Sequence, residues 1–125
     1  MSQLVSFVIP CYKSALTIGG VIAEITEAMA ALPAYEYEIV LVNDCSPDNT
    51  FEVIRGICET NDKIKGINLA KNFGQHAALM AGFAQAKGDI VVCLDDDGQT
   101  PANEVGKLLA GIENGADVVY ARYAH

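Results

Sequence analysis

The segment IVVCLDDDGQTP, residues 90–101, holds the densest chemistry in the chain. Three consecutive carboxylates, Asp95, Asp96 and Asp97, follow an apolar run, and Gln99 lies two residues further on. Carboxylates gathered in one place repel, and burying them is costly unless a cation neutralises them. On a loop leaving a strand, alternating acids can aim Asp95 and Asp97 at one point. Their hard oxygens favour Mg²⁺ or Mn²⁺, and two carboxylates leave coordination positions open for the oxygens of a diphosphate. Gln99 can add another oxygen. The plainer reading is a solvated acidic loop, because Asp-Gly is a common turn. The placement after an apolar run and just before Thr100-Pro101 favours the cation, since Thr caps a helix and Pro suits its first position.

Elements that would position such a cluster are visible as a regular alternation. Apolar runs of strand length recur at Leu4 to Ile9, Glu38 to Val42, Ile64 to Leu69, Ile90 to Leu94 and Ala116 to Tyr120. Most are too uniformly apolar for a strand with one wet face, and so fit a parallel sheet covered on both sides. Between the first two, Ile18, Val21, Ile22, Ile25, Met29 and Leu32 form a helical stripe that Pro33 ends. Further helices are expected after Thr50, from Gly74 to about Ala86, and from Thr100 onward. Strands and helices in alternation imply crossover connections and a doubly wound α/β sheet, mostly parallel, with helices on both faces.

In such a sheet, ligands bind beyond the carboxyl ends of the strands. The polar residues fall there: Pro10-Cys11-Tyr12-Lys13, Asn43-Asp44-Cys45-Ser46, Ala70-Lys71-Asn72, the Asp95 cluster and Arg122. Asp44, Ser46, Asp48 and Asn49 also suit a turn that caps the helix at Thr50. Lys71 and Asn72 read equally well as loop residues, and His76 as an ordinary helical histidine outside any catalytic set.

Bulk properties narrow the functional classes. A length of 125 residues with 51% hydrophobic and 19% charged residues describes one globular unit. A formal charge of −8 leaves no basic stripe for a nucleic-acid backbone, so no nucleic-acid partner is expected. The cysteines Cys11, Cys45, Cys58 and Cys93 show neither a redox clip nor a zinc spacing, and are expected to be reduced, partly buried thiols. Neither a signal-peptide pattern nor an apolar run of about 20 residues is present, so a cytoplasmic location is expected.

Taken together, the motifs SFVIPCYK, YEIVLVNDCSPDNT and LDDDGQTP resemble the family 2 glycosyltransferases, inverting enzymes of the GT-A, Rossmann-like nucleotide-binding fold. NFGQHAALMAGFAQAKGDIVVCLDDDGQTP is especially similar to the branch that loads sugars onto polyprenyl phosphates, undecaprenyl and dolichyl phosphate among them. The resemblance implies that Pro10 and Tyr12 border the nucleoside, that Asp44 accepts a hydrogen bond from the base, and that Asp95 and Asp96 belong to the nucleotide-sugar site. It further implies metal ligation by Asp95, Asp97 and Gln99, and catalytic roles for Asp97 and for Arg122 near the diphosphate. Mn²⁺ or Mg²⁺ is the implied cofactor. A UDP-sugar is the first expectation for the donor and a GDP-sugar the second, with a lipid phosphate or glycan as acceptor.

Some features depart from the family pattern. The acidic turn, often Asp-Asp, is Asn43-Asp44 here, so only the second carboxylate carries over, and Gly98 replaces a usually apolar residue. Family domains continue into an acceptor-binding half, so residues 1–125 are expected to be the nucleotide-sugar-binding part of a longer transferase, at the inner face of the membrane in a full-length parent. Self-association over the uncovered surface is a further expectation. One alternative is a module that binds nucleotide without transferring sugar. Another is a haloacid-dehalogenase-like phosphatase, whose Asp-x-Asp-Gly-Thr loop resembles LDDDGQT. That loop normally follows the first strand and lacks an intervening Gln99.

Overall fold

The computed structural model describes residues 3–13, 15–71, 74–93 and 118–120. Its elements alternate along the chain as β1 (Gln3–Cys11), α1 (Ile18–Ala30), β2 (Tyr35–Asn43), α2 (Thr50–Thr60), β3 (Ile64–Asn68), α3 (Gln75–Gln85), β4 (Ile90–Cys93) and β5 (Val118–Tyr120). They form a five-stranded sheet in the order β3-β2-β1-β4-β5, with every neighbouring pair parallel.

Burial explains why the strands are apolar on both sides. In β1, Val5, Phe7, Ile9 and Cys11 point to the layer that contains α1 and α2, where they meet Ile18, Val21, Ile25 and Ile54. Val8, between them, points to the other layer, where Val40, Val42 and Ala78 of α3 close the core. Complete burial of a side chain such as Phe7 is worth roughly 1.5–3 kcal/mol, and β1 contributes several from its central place in the sheet. The helices therefore cover both faces, as the alternation requires.

Alanine and glycine set how closely α3 approaches. A Cβ on Gly82 would overlap Val8 Cγ1 and lie 3.2 Å from Val42 Cγ2, so the helix rests almost backbone-to-sheet at that point. Strands β1 and β2 run longer than their apolar cores suggest, out to Cys11 and Asn43, because these two residues are in register and both are buried. The helix expected from Thr100 lies outside the described residues.

A buried polar cluster lies on the α3 side of the sheet near its amino-terminal end. The Ser6 hydroxyl donates to Glu38 Oε2 at 2.5 Å, the Lys87 amide donates to the same oxygen at 2.7 Å, and Lys65 Nζ lies 2.8 Å from Glu38 Oε1. The Gly88 amide donates to Ser6 Oγ at 2.8 Å, and the Asp89 amide to the Leu4 carbonyl at 2.8 Å. Burial raises the Glu38 carboxyl pKa, but hydrogen bonds from Lys65, Ser6 and the Lys87 amide, with the Lys65 charge, bring it below its usual value. The connection from α3 to β4 is thus clamped against β1 and β2, which fixes where β4 enters the sheet.

Candidate functional site

The strand order places the topological switch point between β1 and β4. Strands β2 and β3 are added on one side of β1, and β4 and β5 on the other. In the strand order the chain goes from β1 to β2 on one side and from β4 to β5 on the other, and open α/β sheets bind ligands in the crevice at such a point.

Three of the predicted site residues are described, and all lie at adjacent carboxyl ends. Pro10 is buried in β1 in register with Val42, past the last described β1–β4 pair, Val8↔Cys93. Tyr12 is the first residue after β1 and is 45% exposed. Asp44, the first residue after β2, is only 5% exposed, and its amide donates to the Cys11 carbonyl at 2.9 Å. This bond ties the end of β2 to the end of β1. Asp95, Asp96, Asp97, Gln99 and Arg122 lie outside the described residues. In chain order the acidic run begins two residues after β4, and Arg122 follows β5 by two residues. Among the described residues, no group of three His, Cys, Asp or Glu side chains could hold a metal ion.

A chain of hydrogen bonds that the sequence reading missed holds these ends in place. Asn43 Nδ2 donates to Asn68 Oδ1 at 2.9 Å, while Asn43 Oδ1 accepts from the Ser46 hydroxyl at 2.6 Å and its amide at 3.3 Å. Ser46 Oγ in turn accepts the Lys13 amide at 3.0 Å. The series Asn68, Asn43, Ser46, Lys13 therefore crosses the carboxyl ends of β3, β2 and β1. Lys13 and Cys45 sit at φ values of 54° and 53°, left-handed conformations that cost a non-glycine residue energy and persist where surrounding bonds enforce them. The departure from Asp-Asp was the available signal, because Asn43 has an amide donor with which to meet Asn68.

The turn-and-cap reading of the same segment also has a structural basis. Asp48 Oδ1 accepts from both the Thr50 amide and the Thr50 hydroxyl, whereas Asn49, at the cap position of α2, makes no side-chain cap bond. Asp48 thus starts α2, and Asn43 with Ser46 shapes the turn before it. Lys71 is exposed, and His76 lies in the first turn of α3. The four thiols are free, with Cys11 and Cys93 buried and Cys45 exposed. Among the described residues no helix is long and apolar enough to cross a membrane.

Comparison with known proteins agrees with the fold. Glycosyl transferase family 2 matches residues 6–125. The undecaprenyl-phosphate 4-deoxy-4-formamido-L-arabinose transferase of Aeromonas hydrophila is 41% identical over 118 residues, and that of Pseudomonas fluorescens Pf-5 is 42% identical over the same length. Each alignment covers 94% of this chain but only 36% and 34% of the respective relative. Among solved structures, the mannosyltransferase PcManGT of Pyrobaculum calidifontis, in complex with GDP-Man and Mn²⁺, superposes with a TM-score of 0.67 at 26% identity, over 78% of this chain and 28% of its own. The glucosyl-3-phosphoglycerate synthase of Mycobacterium tuberculosis shares the fold at a TM-score of 0.66 and 24% identity, over 90% of this chain and 40% of its own. With its parallel sheet, its switch point beside β1 and a family match over nearly its whole length, the chain belongs to glycosyl transferase family 2.

Proposed function

We propose that residues 1–125 are the nucleotide-sugar-binding part of an inverting glycosyltransferase that moves a sugar from a nucleoside diphosphate to a polyprenyl phosphate or cell-envelope glycan. The observation that carries this reading is the gathering of Pro10, Tyr12 and Asp44 at the joined ends of β1 and β2, beside the switch point. The names of the relatives support a lipid-phosphate acceptor. In this reading the exposed Tyr12 ring and buried Pro10 border the nucleoside, and Asp44 accepts a base N–H. UDP is the first candidate and GDP the second.

The carboxylates of Asp95 and Asp97, with the Gln99 amide oxygen, are the proposed ligands for Mn²⁺ or Mg²⁺. Their hard oxygen donors suit such an ion. Asp95 and Asp96 also border the nucleotide sugar. A bound cation supplies Lewis-acid neutralisation of the departing diphosphate. Arg122 would add bidentate hydrogen bonds to the diphosphate, an electrostatic contribution that grows as charge develops there. A polyprenyl phosphate is already an anionic nucleophile, so no base from residues 1–125 is required for its attack. In this reading the full-length parent meets its acceptor at the inner face of a membrane.

Calorimetry with UDP and GDP, each with and without Mn²⁺, tests the donor site. Mn²⁺-dependent UDP binding that is lost in Asp97→Ala is the expected result. Binding indifferent to both the ion and the substitution would overturn the metal assignment. A module that binds but does not transfer is separated from a transferase by following labelled sugar onto undecaprenyl phosphate.

A further inference from the structure

Lys13 is a cation at the strand end that borders the switch point. Among the described residues, Lys63, Lys65 and Lys87 lie toward the amino-terminal ends of strands, Lys65 is paired with Glu38, and Arg55 lies within α2. Only Lys13 and Lys71 lie toward carboxyl ends among the described cations. They are not equivalent. Lys71 follows β3, two strands from β1 in the sheet order, which at the usual strand spacing is about 10 Å from the crevice edge. Lys13 follows β1 itself, two residues past its end.

The backbone at Lys13 is fixed in an unusual way. A lysine at φ 54° is neither glycine nor asparagine, the residues that adopt this region at least cost, and its amide is held by Ser46 Oγ at 3.0 Å. Its Nζ lies 5.4 Å from the centroid of the exposed Tyr12 ring, within reach of a cation–π contact. Asp48, the acid whose charge Lys13 influences, already accepts two hydrogen bonds from Thr50. The ammonium therefore lies beside the ring proposed to border the nucleoside, at the joined carboxyl ends of β1 and β2, with Asp48 as a neighbouring acid. In a chain of net charge −8, a dianionic ligand there gains from each fixed cation.

We propose that Lys13 is a specificity-determining cation of the donor site, contacting the diphosphate of a bound nucleoside diphosphate and so favouring it over the bare nucleoside. The proposal rests on the donor-site reading above and adds a residue and a ligand group to it. The Ser46 bond fixes the backbone from which the Lys13 side chain starts, and the Tyr12 ring lies 5.4 Å from its ammonium, which sets the charge beside the proposed nucleoside position.

The test compares UDP with uridine by calorimetry on the 125-residue chain, in the presence of Mg²⁺, for the unmodified protein, Lys13→Asn and Lys13→Arg. Asn tolerates the left-handed backbone and removes the charge, and Arg keeps the charge. Loss of one charge-assisted contact predicts UDP binding weakened about tenfold in Lys13→Asn, with uridine binding unchanged and Lys13→Arg close to the unmodified chain. Matching thermal melts show that the variants fold. Equal loss for UDP and uridine would overturn the proposal and make Lys13 a support for Tyr12. Unchanged UDP binding in Lys13→Asn would also overturn it while leaving the donor site intact. Failure of the unmodified chain to bind either ligand would instead overturn the donor-site reading, and the role of Lys13 with it.

Discussion

Replacing Glu38 by Ala tests the buried clamp that locates β4. The carboxylate is 7% exposed and serves three donors: Ser6 Oγ, the Lys87 amide and Lys65 Nζ. These do not weigh equally. Lys65 is 35% exposed and regains water readily, so its ion pair contributes about 1 kcal/mol or less. The Lys87 amide and Ser6 hydroxyl lose an ionised acceptor inside the fold, and such bonds are worth about 1.5–3 kcal/mol each before the Ser6 rotor readjusts. A net cost of about 2–3 kcal/mol is therefore expected for Glu38→Ala, against about 1 kcal/mol or less for Lys65→Ala. In a domain of this size the larger cost lowers the melting temperature by roughly 8–12 °C.

The pH dependence carries a sign of its own. The folded Glu38 pKa is depressed, so its stabilisation is complete above the usual carboxyl value of 4.5 and fades as pH falls through the lower folded value. The stability gap between the unmodified chain and Glu38→Ala is expected to be full at pH 7 and to shrink below pH 4.5 in urea titrations followed by circular dichroism. Equal destabilisation by the Glu38 and Lys65 substitutions, or a gap that persists in acid, would refute the assignment of the energy to the buried acceptor.

Other expectations follow from single contacts. Gly88→Ala places a Cβ against Ser6 Oγ and 2.8 Å from both the Leu4 carbonyl and the Ser6 amide nitrogen, so a loss of about 2–3 kcal/mol is expected in denaturant melts. Asn43→Ala strands Ser46 and Asn68 and should cost about 2 kcal/mol, whereas Asn43→Asp keeps the Ser46 acceptor and lets the Asn68 amide rotate to donate, for a cost under about 1 kcal/mol. Alkylation mapped by mass spectrometry should modify the exposed Cys45 first and Cys93 far more slowly, since burial pushes the Cys93 thiol up to about 11. A Cys93 that reacts as fast as Cys45 would contradict its burial against the sheet.

The sheet was legible because apolar residues on both faces of β1 and β2 leave the sequence without the alternation of a one-sided strand. The α1 stripe was equally plain, with Ile18, Val21, Ile25 and Met29 all buried. The polar interior was not legible. Ser6 and Glu38 are unremarkable in sequence, and only the register Ser6↔Glu38 brings them together beneath residues more than forty positions away from Glu38. The same holds at the site, where Asn43 and Ser46 read as turn residues until pairing with β3 and the Lys13 amide gives each a long-range partner. Local pattern encodes which face a residue occupies, whereas cross-strand partners depend on the sheet order.

Amide chemical-shift mapping with UDP and diamagnetic Mg²⁺ tests whether nucleotide binds where β1 and β2 end beside the switch point. The expected shifts concentrate at Tyr12, Lys13 and residues 44–46, with Leu4, Lys87 and Gly88 at the opposite end of the sheet unmoved. Shifts centred instead on the recess of about 230 Å³ lined by Phe51, Arg55 and Cys58 would contradict binding where β1 and β2 end.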